Sequence, residues 1–431
     1  MRERRDYCDY NRCVKPAANH STSHSANDMQ RTRLQDRPLV VALSGTLALA
    51  IAMGIGRFAF TPLMPMMLHD GLLDITAASW LASVNYVGYL IGALLCTFQP
   101  ALWRRLGLAP LRPSMMLKGA LVVTCVLTVA MAWQEPRAWP WLRFLAGVAS
   151  SLAFVFTSAW CLGHLSRLHV PQAGGIVYAG PGVGIAVSGL LATAMVQLDW
   201  ASSSGWQAFG VLAVVLTLLV WRVFTQDDAL PAAAAAQAAA GHSSGAEKAA
   251  LTLAYGLAGF GYIITATFLP VIARAALPGS VWLDLFWPIL GFAVAIGAVL
   301  ASRIPAHVDQ RLLLVGCYLM QAAGVIMGEW LPTRLGFALG SILVGLPFTA
   351  ITFFAMQVGR RLHPQSASTI IGLLSASFAL GQIIGPPVAA ALLARAPNHA
   401  TGFSWSLQAA AWTLVAGAAI YAWMVKAFRR A

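Results

Sequence analysis

Residues 54–65 read GIGRFAFTPLMP, and residues 259–270 read GFGYIITATFLP. Aligned without gaps, the two stretches share both glycines and the final proline. The same alignment places residues 90–95, LIGALL, on residues 295–300, AIGAVL. A chain that repeats over its two halves in this way is built from two related bundles.

The composition indicates a membrane protein. Of the 431 residues, 58% are hydrophobic and only 10% are charged, whereas soluble chains have about 25% charged residues. Apolar stretches of about 20 residues recur from Leu39 onward, which is enough to cross a bilayer as a helix. They are too long and too continuously apolar for barrel strands. The sequence predicts an all-α polytopic protein with twelve transmembrane helices in two six-helix bundles.

The predicted organisation has four parts. Residues 1–38 are polar and are expected to form a disordered cytoplasmic tail. Residues 39–224 form the first bundle, and residues 250–427 form the second. Between them, residues 225–249 are rich in Ala and polar residues and read as a cytoplasmic linker.

The net charge of +13 would suit a nucleic-acid binder, but the basic residues gather on one side of the predicted spans. This is the positive-inside pattern, which predicts cytoplasmic termini, contact with a lipid bilayer and no nucleic-acid partner. The short loops on that side contain Arg104, Arg105, Arg112, Arg167, Arg303, Arg311, Arg360 and Arg361. Tryptophans near the opposite helix ends are expected to form an aromatic belt: Trp80, Trp139, Trp141, Trp206, Trp282 and Trp330.

The sequence gives little indication of a metal site or of catalytic residues. Cys8 and Cys13, with His20 and His24 downstream, suggest a metal only loosely. No nucleophile–base set or phosphate-binding glycine loop stands out. We therefore predict no metal, no cofactor and no catalytic residues.

Arg57 is the strongest candidate for a functional residue. A charge inside a spanning segment costs at least about 2.5–3.5 kcal/mol, so it should face a cavity or a partner. One interpretation is that Arg57 receives an anionic group of a solute. The other is that it bonds a neighbouring helix or carbonyls freed by Pro62, which leaves the carbonyl of Phe58 without its helical donor.

Further polar side chains lie on the second and seventh spans. Asn85 and Tyr89 share one helix face, with Tyr86 beside them, and are predicted to line the site. A hydrogen bond between helices is the alternative role for Asn85. Tyr255 and Tyr262 repeat this arrangement and are predicted to lie across from Arg57. Weaker candidates, more typical of helix–helix contacts, are Gln357 and Gln382.

Small residues predict where helices pack closely. Gly88 and Gly92 form a G-x-x-x-G pattern, and Gly180 and Gly184 begin a small-residue stripe on the fifth span. In the later part of each half, Gly147 aligns with Gly340, together with the loops SRLHVPQA and RRLHPQS. The repeat is therefore expected to continue there with a shifted alignment.

Residues 54–67, GIGRFAFTPLMPMM, and residues 80–95, WLASVNYVGYLIGALL, resemble the opening of YbfB/YjiJ-type transporters of the major facilitator superfamily. The resemblance implies two six-helix bundles around a central cavity, with alternating access. Arg143 and Gly147 fit the superfamily's R-x-x-x-G pattern on the fourth span. The run around Gly180 and Pro181 is close to the GP-containing motif of superfamily antiporters, although Ile176 stands where a glycine is expected.

These patterns together predict a secondary transporter of the bacterial inner membrane. The expected cargo is a small organic solute, anionic or zwitterionic, with a proton as a candidate coupling ion and a monomeric protein. Asp284, the one acid in the predicted spans, is expected to pair with Arg274 or Arg143. Alternatives are an exporter with a mainly apolar-aromatic cavity and a membrane sensor that does not transport. The predicted coupling or gating residues are Arg143, Asp284, Gly180, Pro181 and Gly184.

Overall fold

The computed structural model describes residues 37–107, 112–224, 245–276, 285–305, 307–362 and 367–428. Within these ranges the regular elements are all helical, and twelve helices are long and apolar enough to cross a membrane. This confirms the predicted fold class. The helices are α1 (Pro38–His69), α2 (Ile75–Arg105), α3 (Pro113–Ala130), α4 (Trp139–Arg167), α5 (Pro171–Gln197), α6 (Ser202–Trp221), α7 (Gly245–Ala276), α8 (Phe286–Arg303), α9 (Gln310–Trp330), α10 (Arg334–Leu362), α11 (Ala367–Arg395) and α12 (His399–Ala427).

Local sequence signals set several helix ends. Pro38 and Pro113 occupy the first turns of α1 and α3, where a missing backbone N–H costs nothing. Asp309 and Asn398 accept a hydrogen bond from the backbone N–H two or three residues on and so cap α9 and α12. Gly107, with φ of 64°, follows the end of α2 in a conformation that favours glycine.

The described helices form two groups that meet along two seams. Helices α1–α6 pack on one another, as do α7–α12, and the groups join where α5 crosses α8 and α2 crosses α11. The end of the predicted linker, 225–249, belongs to α7, which begins at Gly245. The remainder of that linker and residues 1–36 lie outside the described residues.

Glycines let the backbones of α5 and its neighbours approach closely. A Cβ added to Gly184 would lie 2.4 Å from the Cα of Gly54 on α1. Across the seam between the groups, a Cβ on Gly182 would lie 2.7 Å from the carbonyl oxygen of Gly291 on α8. The predicted close packing at Gly184 is thus confirmed, and so is that at Gly88, where an added Cβ would lie 2.0 Å from the carbonyl oxygen of Phe144.

Gly184→Ala should therefore destabilise the protein, because its new methyl group meets backbone that cannot rotate away. We expect a loss of about 1–3 kcal/mol, visible as a lower thermal unfolding midpoint in detergent. Gly119→Ala is the matched control, since nothing lies within 4 Å of its added Cβ. Equal midpoints for the two variants would contradict the close packing of α1 and α5.

The internal repeat holds in the packing, with one correction. Gly147 packs on the backbone of α2, with an added Cβ 2.1 Å from the Asn85 carbonyl oxygen. Gly345 packs in the same way on α8, with an added Cβ 2.7 Å from the Leu290 carbonyl oxygen. Asn85 and Leu290 are equivalent in the opening alignment, so the structural counterpart of Gly147 is Gly345. Gly340, its counterpart in the sequence alignment, instead approaches α9.

The predicted tryptophan belt is only partly present. Trp80, Trp141 and Trp330 are exposed at the helix surface, as a belt requires. Trp139 and Trp206 are buried within the protein and pack in its core. Proximity to a helix end in the sequence does not say which face of the helix a side chain occupies. Trp282 lies outside the described residues.

Candidate substrate-binding site

The backbone of α1 changes form where the candidate site begins. After an α-helical start, residues Ala50–Phe58 form a π-helix, and the α-helix resumes at Phe60. Such wide turns are rare, are usually short, and often occur at functional sites. All nine residues of Ala50–Phe58 are buried. The segment ends at Phe58, whose carbonyl would normally accept from the N–H of residue 62, and Pro62 has none.

Arg143 on α4 provides donors at this junction. Its guanidinium is 3% exposed and donates to the carbonyl oxygens of Gly56, at 3.5 Å, and Arg57, at 3.2 Å. It also lies 4.6 Å from the ring centroid of Phe60. Neither acceptor is the Phe58 carbonyl that Pro62 is expected to free. This contact fixes the backbone that carries Arg57.

The Arg57 side chain lies among aromatic rings. It is 3% exposed, and its guanidinium carbon lies 4.3 Å from the ring centroid of Tyr89 and 5.2 Å from that of Tyr86. Cation–π contacts of this kind contribute about 0.5–2 kcal/mol each. Among the described residues, no carboxylate forms an ion pair with Arg57, and its Nε has no hydrogen-bond partner. The charge is thus only partly compensated.

Gln382 on α11 links the two groups of helices at this point. Arg57 Nη2 donates to Gln382 Oε1 at 2.5 Å, and Gln382 Nε2 donates to the Tyr262 hydroxyl. Arg57 and Tyr262 occupy equivalent positions of the repeat. Both side chains therefore bond the same amide, that of Gln382. Arg57 thus bonds a side chain of a neighbouring helix, which is one of the roles that the sequence left open for it.

A small buried cavity of about 30 Å³ lies among these groups. Both groups of helices contribute to it, through Arg57 and Pro181 on one side and Tyr262 and Ser375 on the other. Tyr178 lies between Phe154 and Phe353, with ring centroids 6.0 and 6.2 Å away. The aromatic and hydroxyl lining is Tyr89, Phe154, Tyr178, Tyr255, Tyr262, Phe348, Phe378, Thr349, Thr352 and Ser375.

A second cavity of about 10 Å³ adjoins the first, and Tyr262 and Phe348 line both. Its walls come from α1, α5, α7, α8 and α10, and nearly all of its lining side chains are apolar. Phe58, the residue after Arg57, meets Trp287 edge to face in this wall, with ring centroids 6.3 Å apart. The remaining lining is Ile185, Ala266, Leu290, Val344 and Gly345.

The other predicted substrate-binding residues take different positions. Tyr255 lines the larger cavity and donates to Thr352 Oγ1 at 3.0 Å. The Tyr86 ring lies 5.2 Å from the guanidinium carbon of Arg57, but Tyr86 is not among the residues that line the cavity. Asn85 is fully buried and donates to the backbone oxygen of Arg143 at 2.8 Å, which is the helix–helix role considered as its alternative.

The predicted coupling or gating residues do not form one cluster. Pro181 lines the cavity, whereas Gly180 and Gly184 pack against α1. Arg143 contacts the backbone of α1. Asp284 lies outside the described residues, and so does its predicted pairing.

Arg143→Ala should weaken solute binding through the position of Arg57. The change leaves two buried carbonyls without their donor, at a cost of about 1–3 kcal/mol. We expect a lower thermal midpoint and roughly tenfold weaker binding, with partial rescue by Arg143→Lys. Arg137→Ala, at an exposed loop residue, serves as the control. Wild-type midpoint and affinity in Arg143→Ala would show that these carbonyl contacts do not position the site.

Gln382 is more central to the site than its sequence indicates, and several other lining residues were not predicted. Gln382 was a weak candidate, because an amide in a spanning helix is more often a packing contact. The hydroxyls of Thr349 and Thr352, one turn apart on α10, were a usable signal for a polar face. Nothing in the sequence distinguishes Phe348 and Phe378 from ordinary core residues.

Twelve apolar helices, packed as two groups around a buried central cavity with a charged residue, define a polytopic membrane transporter. The sequence model of one protein family matches residues 49–422, and its description is "uncharacterised MFS-type transporter YbfB". The chain belongs to this family of the major facilitator superfamily, as the opening motif predicted. A search of curated proteins finds no match to the chain.

Proposed function

We propose that the protein is a secondary transporter that carries a small organic anion, or a zwitterion with a carboxylate, by alternating access. The observation that carries this proposal is the state of Arg57. Its buried guanidinium lines the cavity between the helix groups and has no carboxylate partner among the described residues. A solute anion supplies the missing charge through short, charge-assisted hydrogen bonds.

The packing of the helices supports alternating access. The cavity is lined by both groups of helices, and its lining side chains are almost entirely buried. A solute therefore enters and leaves only if the groups move relative to each other. The α5–α8 seam suits such motion, because the two backbones approach closely there at Gly182 and Gly291.

The setting proposed for this activity is the bacterial inner membrane, with cytoplasmic termini and a monomeric protein. Among the described residues that line the larger cavity there is no Asp, Glu or His. A coupling proton would therefore have to be carried by a group elsewhere. The same lack of acids disfavours a cationic cargo.

A matched set of solutes tests the charge preference. Purified protein is titrated with carboxylates, their amides and amines of the same carbon skeleton, and hits are followed by counterflow in proteoliposomes. We expect the carboxylates to bind and exchange, and the amides and amines to bind at least about tenfold more weakly. Equal binding of acid and amide would remove the anion site from the proposal.

A further inference from the structure

A lysine, Lys118, lies within a spanning helix and outside both cavities. We propose that α3 and α6 bind one anionic phospholipid at their inner end, with its phosphate at Lys118 and its acyl chains along the two helices. The inner end is where α3 begins and α6 ends, on the proposed cytoplasmic side. This inference is independent of the solute and of the central cavity.

The Lys118 side chain lies over an aromatic ring. Lys118 is in the second turn of α3, and its Nζ lies 4.8 Å from the ring centroid of Trp221 at the end of α6. Among the described residues, no carboxylate forms an ion pair with it. A charge within a span is costly unless it has a partner. The cation–π contact offsets part of that cost, and a lipid phosphate supplies the negative charge.

The first group of helices has no acid at this end among its described residues. Its described carboxylates, those of Asp70, Asp74, Glu135 and Asp199, all lie at the opposite end of the helices. An anionic headgroup is therefore attracted to the inner end of this group. The described basic residues there include Arg37, Arg105, Arg112, Lys118, Arg167 and Arg222.

The second group of helices balances charge at the same end with its own acids. Arg311, at the start of α9, lies 2.9 Å from a carboxylate oxygen of Asp309 and 3.6 Å from one of Glu247 on α7. In the repeat of six helices, α9 is the counterpart of α3. The equivalent end of α3 thus obtains its negative charge from outside the described residues, and the adjacent membrane surface is a source of anions.

Exposed apolar side chains continue from the Lys118–Trp221 contact along both helices. They recur every three or four residues, so each set lies on one face of its helix. Cys125 Sγ lies 3.3 Å from Thr217 Oγ1, so the two helices remain in contact beyond their inner ends. The acyl chains of a lipid held at Lys118 therefore lie against apolar surface. The exposed side chains are Val122, Val126 and Val129 on α3 and Val211, Val214 and Leu218 on α6.

Native mass spectrometry of the full-length protein, titrated in detergent with dioleoyl lipids, measures this binding. We expect the first phosphatidylglycerol to bind at least about fivefold more tightly than phosphatidylcholine, the zwitterionic lipid with the same chains. Inorganic phosphate at the same concentrations should not displace phosphatidylglycerol, because it lacks the chains that contact α3 and α6.

Variants of Lys118 test where the headgroup binds. Lys118→Ala should weaken the first phosphatidylglycerol about fivefold, and so should Lys118→Gln, which keeps most of the side-chain length but not the charge. Lys118→Arg keeps the charge and should retain the affinity, which separates a lost headgroup contact from a damaged fold. Lys248→Ala removes a lysine from the first turn of α7 and serves as the matched control.

Three outcomes would overturn the proposal. Equal affinity for the two lipids excludes an anionic headgroup site. Wild-type affinity for phosphatidylglycerol in both Lys118→Ala and Lys118→Gln excludes Lys118 as its position. Displacement of phosphatidylglycerol by inorganic phosphate excludes a lipid as the specific occupant.

Discussion

Arg57→Ala is expected to abolish specific binding and transport of organic anions. The change removes the charged group of the larger cavity and with it the hydrogen bonds that a carboxylate would accept. Truncating one partner of a buried charge pair costs about 2–5 kcal/mol, a loss of affinity of roughly 30-fold or more. Uptake of a labelled carboxylate into proteoliposomes, with a parallel titration, measures both effects.

Two further variants define what Arg57 contributes. Arg57→Lys keeps the charge but loses the planar group that lies over Tyr89, so we expect an intermediate affinity. Arg105→Ala removes the same side chain from an exposed position at the end of α2 and should leave transport unchanged. Arg57→Ala protein that elutes as a folded species and still transports carboxylates at the wild-type rate would rule out the proposed site.

Gln382→Glu should inhibit binding as strongly as Arg57→Ala, through the opposite change. The wild-type amide oxygen accepts from Arg57 at 2.5 Å, so it occupies the position that a solute carboxylate oxygen needs. A glutamate there would pair permanently with Arg57 and repel the incoming anion. Like charges placed together in a buried site cost several kcal/mol, which corresponds to at least about a 100-fold loss of affinity. Titration of the variant with a carboxylate checks this.

The matched variants separate charge from structure. Gln382→Leu removes the competing acceptor, so anions should bind at least as well as to the wild type. Gln357→Glu makes the same chemical change at an amide that pairs with Gln310 on α9, away from the cavity, and should leave affinity unchanged. If Gln382→Glu bound carboxylates with wild-type affinity, Gln382 and the solute could not share the Arg57 site.

The sequence predicted the helices well, because a bilayer leaves an apolar segment few other structures. It also identified Arg57, since a charge in a long apolar segment stands out without any knowledge of the packing. The place of Gln382 was not predictable in this way. Its contact with Arg57 depends on how α11 turns relative to α1, and no local pattern encodes that angle. The pairing of Gly147 with Gly345 was missed because the sequence alignment followed the similar loops.

The contacts of Arg143 were also not predictable from the sequence. Its motif implied gating, whereas its contacts are with backbone oxygens at the end of a π-helix. That helical form has no recognisable signature in residues 50–58, so the need for an external donor could not be foreseen. The resemblance located an important residue but did not supply its physical task.

The π-helix of α1 also bears on how such a protein can diversify. The equivalent stretch of α7 is an ordinary α-helix, so the two related halves differ in main-chain winding as well as in side chains. One residue gained or lost in an α-helix rotates everything beyond it by about 100°, and a local π-turn can absorb such a length change. A residue gained or lost within residues 50–58 during evolution could therefore be accommodated locally, without turning the rest of α1 away from the helices that it packs on.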